Sequence, residues 1–425
     1  MKSAILKLLL WVLLIVATAL ALHNWHLRRL NQALLDTIDE LEQERRATAR
    51  AAPTPPATNP VASREEERRR VEQQVSELRG LSFRQPVNYR QIPRAQLREV
   101  LLEEVRRQFT PEDARRYGRA LEALGLIPRG TDLMALMIGL YDEQVGAFYL
   151  PRERALYTFE DLPLSTAVDR MILAHELVHA LQDQHYDLTK WPLHVKDNDD
   201  LALAAAALLE GDATVLMTQH YALHAPPAGM WSDLLTMLLG QRTEKLRAAP
   251  AYLRELMLFP YQAGQRFVLA LQMDGGLDAL HRAFQQPPTS TEQILHPHKF
   301  LQARDEPVAV TVEVQPPLGW ERIADNVLGE FGIRTKLAQA LPLTEASDAA
   351  AGWGGDRYHV FERGVGGPLA VVWWSVWDDE KEAEEFAQAY RRYLEKQNRR
   401  AQVVLDERRV EVVFSEDDQF AATSR

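Results

Sequence analysis

The segment HELVHALQDQH, from His175 to His185, places three histidines, a glutamate and an aspartate in a stretch that otherwise reads as a buried helix. His175, Glu176 and His179 spell H-E-x-x-H. On a helix, residues four apart share one face with their Cβ atoms about 6 Å apart, close enough for two imidazoles to hold one tetrahedral zinc ion. Glu176, one step round the helix, then reaches the water that such an ion activates and can act as its base. The chain contains no cysteine, which excludes disulfides, thiolate ligation and thiol catalysis together. A transition-metal site here must draw on histidine, carboxylate and water.

A catalytic zinc usually takes three protein ligands and leaves one position to water. Two residues compete for the third place. His185 follows His179 at the spacing of H-E-x-x-H-x-x-G-x-x-H, but Gln182 stands where that pattern needs glycine to break the helix, and a non-glycine residue resists that backbone geometry. Glu210, in LLEGDATVL, is the lone acid of the apolar run from Leu201 to Gly211. A buried carboxylate is costly without a cation or donors, so Glu210 is the favoured third ligand. Zinc-bound imidazoles donate their other nitrogen to a carboxylate or carbonyl; Asp183, one turn beyond His179, and Asp212 and Thr214 are the candidates for that supporting role.

With these residues in place, the chain resembles the gluzincin group of zinc metallopeptidases, in which H-E-x-x-H on one helix is completed by a glutamate on a following helix. LLEGDAT is similar to the N-E-G-F-A-[ST] stretch of the aminopeptidase branch. Glu210 matches its ligand glutamate, and Gly211, Ala213 and Thr214 match its neighbours. Leu209 and Asp212 depart from that pattern, and the interval from His179 to Glu210 exceeds the usual one, a difference the aspartate-rich loop at Asp197–Asp200 can absorb. HELVHALQD resembles the thermolysin branch, Asp183 included. By analogy the likeness covers residues 140–301; the substrate-recognition motif of aminopeptidases is missing. Hydrolysis also needs a donor for the carbonyl oxyanion. Related enzymes use a tyrosine or histidine, which makes Tyr261, Tyr221 and Tyr149 candidates here, Tyr261 first. His296 and His298 are expected to sit in a loop packed on this core rather than on the metal.

The elements that must position these groups follow from pattern. Thr166 and Asp169 predict a capping-box start for the zinc helix, which is apolar on most sides. Upstream, Val145–Tyr149 and Ala155–Phe159 read as two strands about a turn at Pro151–Arg154, an edge on which an extended peptide can add as a strand. Helices are expected over 64–78, up to Phe109, over Pro111–Leu124, over the LALAAAALLEG segment, near Met230–Ala248 and near Tyr261–Gln272. From Pro307 the texture changes. VAVTVEV reads as a strand, ADNVLGEFGIRTKLAQAL as a helix, GWGGDRYHVFE and LAVVWWSVW as strands, and DDEKEAEEFAQAYRRYLEKQ as an amphipathic helix before two short strands. The expected fold is thus α+β: a mainly helical zincin-like domain with a small sheet over 64–306, then a smaller α+β domain over 307–425 without chemistry of its own.

At 425 residues the chain is long enough for two domains plus appendages, at roughly 100–200 residues each. A formal net charge of −11 argues against a nucleic-acid binder. Residues 1–24 carry Lys2 and Lys7 before an apolar run, which reads as a signal anchor, or as a signal peptide cleaved after Ala19–Ala21. Either reading sends the rest across a membrane. The first makes a single-pass protein of a bacterial-type cell membrane with its catalytic domain on the periplasmic or extracellular side; the second makes a secreted one. Residues 25–50 space Leu27, Leu30, Leu34, Ile38 and Leu41 as a helical stalk or coiled coil, a route to homo-oligomers, and 51–63 form a proline-rich linker. The function these readings imply is zinc-dependent hydrolysis of peptide or protein substrates. A non-catalytic zinc-binding scaffold and a zinc hydrolase of another bond stand as alternatives, and the intact Glu176 weighs against the scaffold.

Overall fold

The helix that carries His175 begins as its sequence dictates. Thr166 caps it by accepting from the Asp169 amide at 3.0 Å, and Asp169 returns the bond to the Thr166 amide at 3.1 Å. A computed structural model describes residues 60–142, 147–159, 164–224, 244–302, 304–311, 314–420 and 423–424. The N-terminal anchor, the stalk at 25–50 and most of the linker and of the helix expected near Met230 lie outside the described residues. The described residues from Arg64 onward belong to one compact unit.

Helix α1 spans Pro60–Arg79, starting inside the stretch read as linker, since proline is tolerated in a first helical turn; Gly80 ends it with φ 67°. Strand β1 (Asn88–Ile92), α2 (Arg94–Gln108), α3 (Pro111–Leu124) and α4 (Leu133–Asp142) lead to the hairpin of β2 (Ala147–Leu150) and β3 (Ala155–Phe159). β3 is central in this sheet, parallel to β1 and antiparallel to β2, so β2 is an edge. Helix α5 (Ala167–Tyr186) follows, then α6 (Asp199–His224), α7 (Glu244–Ala248) and α8 (Ala251–Gln285), which kinks at Gly275 and Gly276. Short helices α9 (Thr291–Leu295) and α10 (Pro297–Leu301) close this part.

Helix α6 is the one described helix long and apolar enough to cross a membrane, but 61% of its apolar window is buried inside the protein. It is the core helix, packed between α5 and α8. Its contact with α8 depends on two glycines. A Cβ on Gly211 would fall 2.3 Å from the Gly264 carbonyl carbon, and one on Gly264 would fall 2.0 Å from the Ala207 oxygen. The backbones touch here, one residue after Glu210. Gly264→Val is therefore expected to destabilise the protein by about 2–3 kcal/mol, read as a lower urea midpoint; an unchanged midpoint would mean that the helices can separate at no cost.

After the short strand β4 (Val314–Gln315), β5 (Trp320–Asn326), β6 (Trp353–Arg363), β7 (Leu369–Trp377), β8 (Gln402–Asp406) and β9 (Arg409–Ser415) form a five-stranded antiparallel sheet in the order β5-β6-β7-β9-β8. Helices α11 (Gly329–Leu337), α12 (Leu343–Asp348) and α13 (Glu380–Lys396) accompany it. Trp353 and Trp373 each donate to buried Asp356 at 2.9 Å, as do the Leu328 and Gly329 amides at 3.0 and 2.9 Å, so these tryptophans are core. The fold is α+β. The change of element type near residue 307 is not a break in packing: one apolar cluster runs through Leu208, Phe267, Phe331, Trp353 and Trp373. Arg115 and Arg119 on α3 each reach Glu362 on β6 at 2.9 Å, and buried Lys336 donates to the Leu124 carbonyl.

Three local expectations need correction. Among the described residues of VAVTVEV, Val314 alone pairs as a strand, in Val314–Gln315 against Thr423–Ser424; Val308 is instead tied by its amide to the Gly354 carbonyl at 2.7 Å. Ala324–Asn326 extend β5 by pairing with Tyr358–Val360 rather than opening a helix. Helix α8 begins at Ala251 and runs through Pro260, because the burial of Phe259, Ala263 and Phe267 outweighs the hydrogen bond that proline removes.

Candidate metal centre

Helices α5 and α6 bring three donor atoms together. Glu210 Oε2 lies 3.1 Å from His175 Nε2 and 3.6 Å from His179 Nε2, and the two imidazole nitrogens are 3.1 Å apart. Ligands about 2.05 Å from a tetrahedral ion stand about 3.3 Å from one another, so the triangle has the size of one face of a zinc polyhedron. The donor set, two imidazoles and one carboxylate, also suits zinc. The histidine side chains are 13% exposed and that of Glu210 is 25% exposed, so the donors are largely but not wholly withdrawn from solvent. His175 Nδ1 is buried and has no partner among the described residues.

Glu176 stands beside this triangle, and its Oε2 accepts from the Tyr149 amide at 2.8 Å. Burial raises its pKa above the ordinary value, only partly opposed by His175 and His179. Burial alone would also lower the pKa of His179, but Glu210 reverses the sign and lifts it to about 9. Glu210 in turn is held well below the carboxylate range, since the two histidines outweigh its burial.

Every polar residue of the segment now has a place. Gln182 accepts from His179 Nδ1 at 2.9 Å. Asp183 takes the Tyr149 hydroxyl at 2.8 Å and the Leu188 amide at 2.9 Å, so it anchors β2 and the loop rather than a histidine. Gln184 accepts the Arg84 amide at 2.7 Å, and His185 donates to the Ser82 carbonyl at 2.9 Å, away from the triangle. Asp212 meets Gln182 Nε2 at 3.0 Å and Arg79 Nε at 2.9 Å. Thr214 is buried, and its hydroxyl has no partner among the described residues.

Of the tyrosines, Tyr261 on α8 stacks near His175, with ring centroids 6.3 Å apart. The Tyr149 hydroxyl is spent on Asp183, which together with burial raises its pKa. Tyr221 lies on α6, beyond Glu210. His296 pairs with Glu330 at 2.8 Å, outside the triangle. A second acidic group, Glu292, Asp305 and Asp378, already surrounds the Lys299 ammonium at 2.7, 3.0 and 2.6 Å. Arg79 and the Tyr149 amide were not singled out in the sequence, and Gln182 was read there only as the residue that stands in place of a motif glycine. Gln182 alone carried a signal, three residues beyond His179 on the same helical face.

Comparison with known proteins adds little about activity. Residues 316–425 match the model of a domain of unknown function, DUF8575. No curated protein matches the chain. A crystal structure from Chloroflexus aurantiacus, described as that of a hydrolase candidate with a novel fold, is 20% identical and covers 60% of this chain and 93% of its own, with a TM-score of 0.39, a likeness too slight to define a shared fold.

Proposed function

We propose that the protein is a zinc-dependent peptidase of gluzincin type, with a zincin-like catalytic half and a membrane-associated N-terminal segment. The observation that carries this reading is the convergence of His175 Nε2, His179 Nε2 and Glu210 Oε2 beside a half-buried Glu176. Zinc held by these three residues supplies Lewis-acid chemistry, polarising a carbonyl and acidifying water. Glu176 accepts the proton of the attacking water and passes it to the leaving nitrogen. Its raised pKa makes it a stronger base than an exposed carboxylate, and the Tyr149 amide fixes the direction of its lone pairs. Tyr261 is the donor assigned to the oxyanion. The edge strand β2 receives an extended substrate by strand addition, and the Tyr149 amide marks where that edge meets the base.

The test is direct. The purified chain is expected to hold one zinc ion and to hydrolyse an unfolded protein in a chelator-sensitive way. A folded chain that takes up no zinc would overturn the reading.

The sign of the pH dependence follows from His179. A ligand histidine must give up its proton, and Glu210 keeps that proton on His179 up to about pH 9. Loading the centre at pH 7 is expected to release a proton, and zinc affinity to rise about tenfold per unit towards pH 9, then level off. Without metal, the raised pKa stabilises the fold below the ordinary histidine value and is lost as pH rises through 9. Chelator competition from pH 6 to 10 measures the first effect; a flat profile would remove His179 from the ligand set.

A further inference from the structure

Gln182 is 1% exposed and occupies the position where a glycine-broken motif would have turned the chain. Its amide orientation is settled by its neighbours. Nε2 donates to the Leu209 carbonyl at 3.1 Å and to Asp212 Oδ2 at 3.0 Å, and both partners only accept. Oε1 therefore faces His179 Nδ1 at 2.9 Å. An amide oxygen cannot donate, so Nδ1 must carry the hydrogen, and in the neutral ring Nε2 is left with its lone pair. That lone pair points to the side where His175 and Glu210 converge. Behind Gln182, Asp212 is fixed by Arg79, and both are 1% exposed.

We propose that Gln182 is a positioning residue that sets the tautomer and ring direction of His179 for metal, with the Arg79–Asp212 pair holding its amide in register. This rests on reading His175, His179 and Glu210 as a zinc site. A glutamine fits where an acid would not: a carboxylate at 182 would add a second negative charge beside Asp212 and lose both donors. An apolar residue would leave the His179 Nδ1 hydrogen unpaired in a buried place.

The experiment compares zinc binding to the full chain in wild type, Gln182→Met and Gln182→Glu. Loss of an outer partner typically costs roughly 10–100-fold in metal affinity, and Gln182→Met is expected to lose that much. Gln182→Glu keeps an acceptor against Nδ1 and is expected to bind zinc about tenfold more tightly than Gln182→Met. Melting of the metal-free variants runs in parallel. A residue that only packs would lower both melting points and leave the zinc constants equal, and that result overturns the proposal. A second measurement needs no substitution. The ring ¹⁵N spectrum of zinc-loaded wild type is expected to show His179 with its hydrogen on Nδ1; a hydrogen on Nε2 overturns the proposal. Wild type that takes up zinc normally while Gln182→Met matches it overturns the positioning role alone. Wild type that takes up no zinc overturns it together with the site reading.

Discussion

Glu176→Gln is expected to keep the fold and the zinc while lowering hydrolysis by at least 10²–10⁴, the range that a positioned base contributes. The amide still accepts from Tyr149, so the local geometry at β2 has no reason to change. It cannot hold a proton at neutral pH, so the attacking water keeps both of its own. Removing a half-buried carboxylate whose pKa desolvation has raised also relieves a desolvation cost, and the variant is expected to be at least as stable as wild type. The measurement is a pair: zinc content by elemental analysis and the rate of cleavage of an unfolded protein. Equal rates in wild type and variant would place the chemistry elsewhere or in a contaminant.

Glu210→Gln and His175→Ala act on binding instead. Each removes one corner of the triangle, and the loss of zinc affinity is expected to exceed by far the roughly 100-fold that an outer partner is worth. Glu210→Gln has a second signature. With the carboxylate gone, the largest influence opposing burial at His179 is lost and only Glu176 and Gln182 still oppose it, so that histidine should titrate below pH 9. His185→Ala is the contrast. Its partner is the Ser82 carbonyl, and zinc retention is expected to stay near the wild-type value. The reverse pattern, with His185 essential and Glu210 dispensable, would reassign the third ligand.

What was legible in the sequence is what local pattern encodes. H-E-x-x-H is one helical turn, the Thr166 capping box spans four residues, and Glu210 stood out as an acid among alanines and leucines. The groups that escaped reading come from far along the chain. Arg79 reaches Asp212 across 133 positions, and the Tyr149 amide reaches Glu176 across 27. A backbone donor leaves no mark on residue type, and a buried arginine in SELRG looks like the end of any charged helix. The misread segments fail for a related reason. Strand formation at VAVTVEV or at Ala324 depends on which partner strand arrives, and alternation alone does not name it.

Arg79 also decides where the protein can be cut. It is the last residue of α1, which follows the proline-rich stretch, and it is the cation that neutralises Asp212 inside the core. Cleavage within 51–59 would leave that pair intact. Cleavage just after Gly80 with loss of the upstream piece would leave the Asp212 charge without its cation, held only by the Gln182 amide, at a cost of about 3–5 kcal/mol. A cut that keeps the Arg79–Asp212 pair and a cut that removes it are thus separated by about two dozen residues of sequence, so the side of α1 on which a protease nicks the chain decides whether the core behind Gln182 stays neutralised.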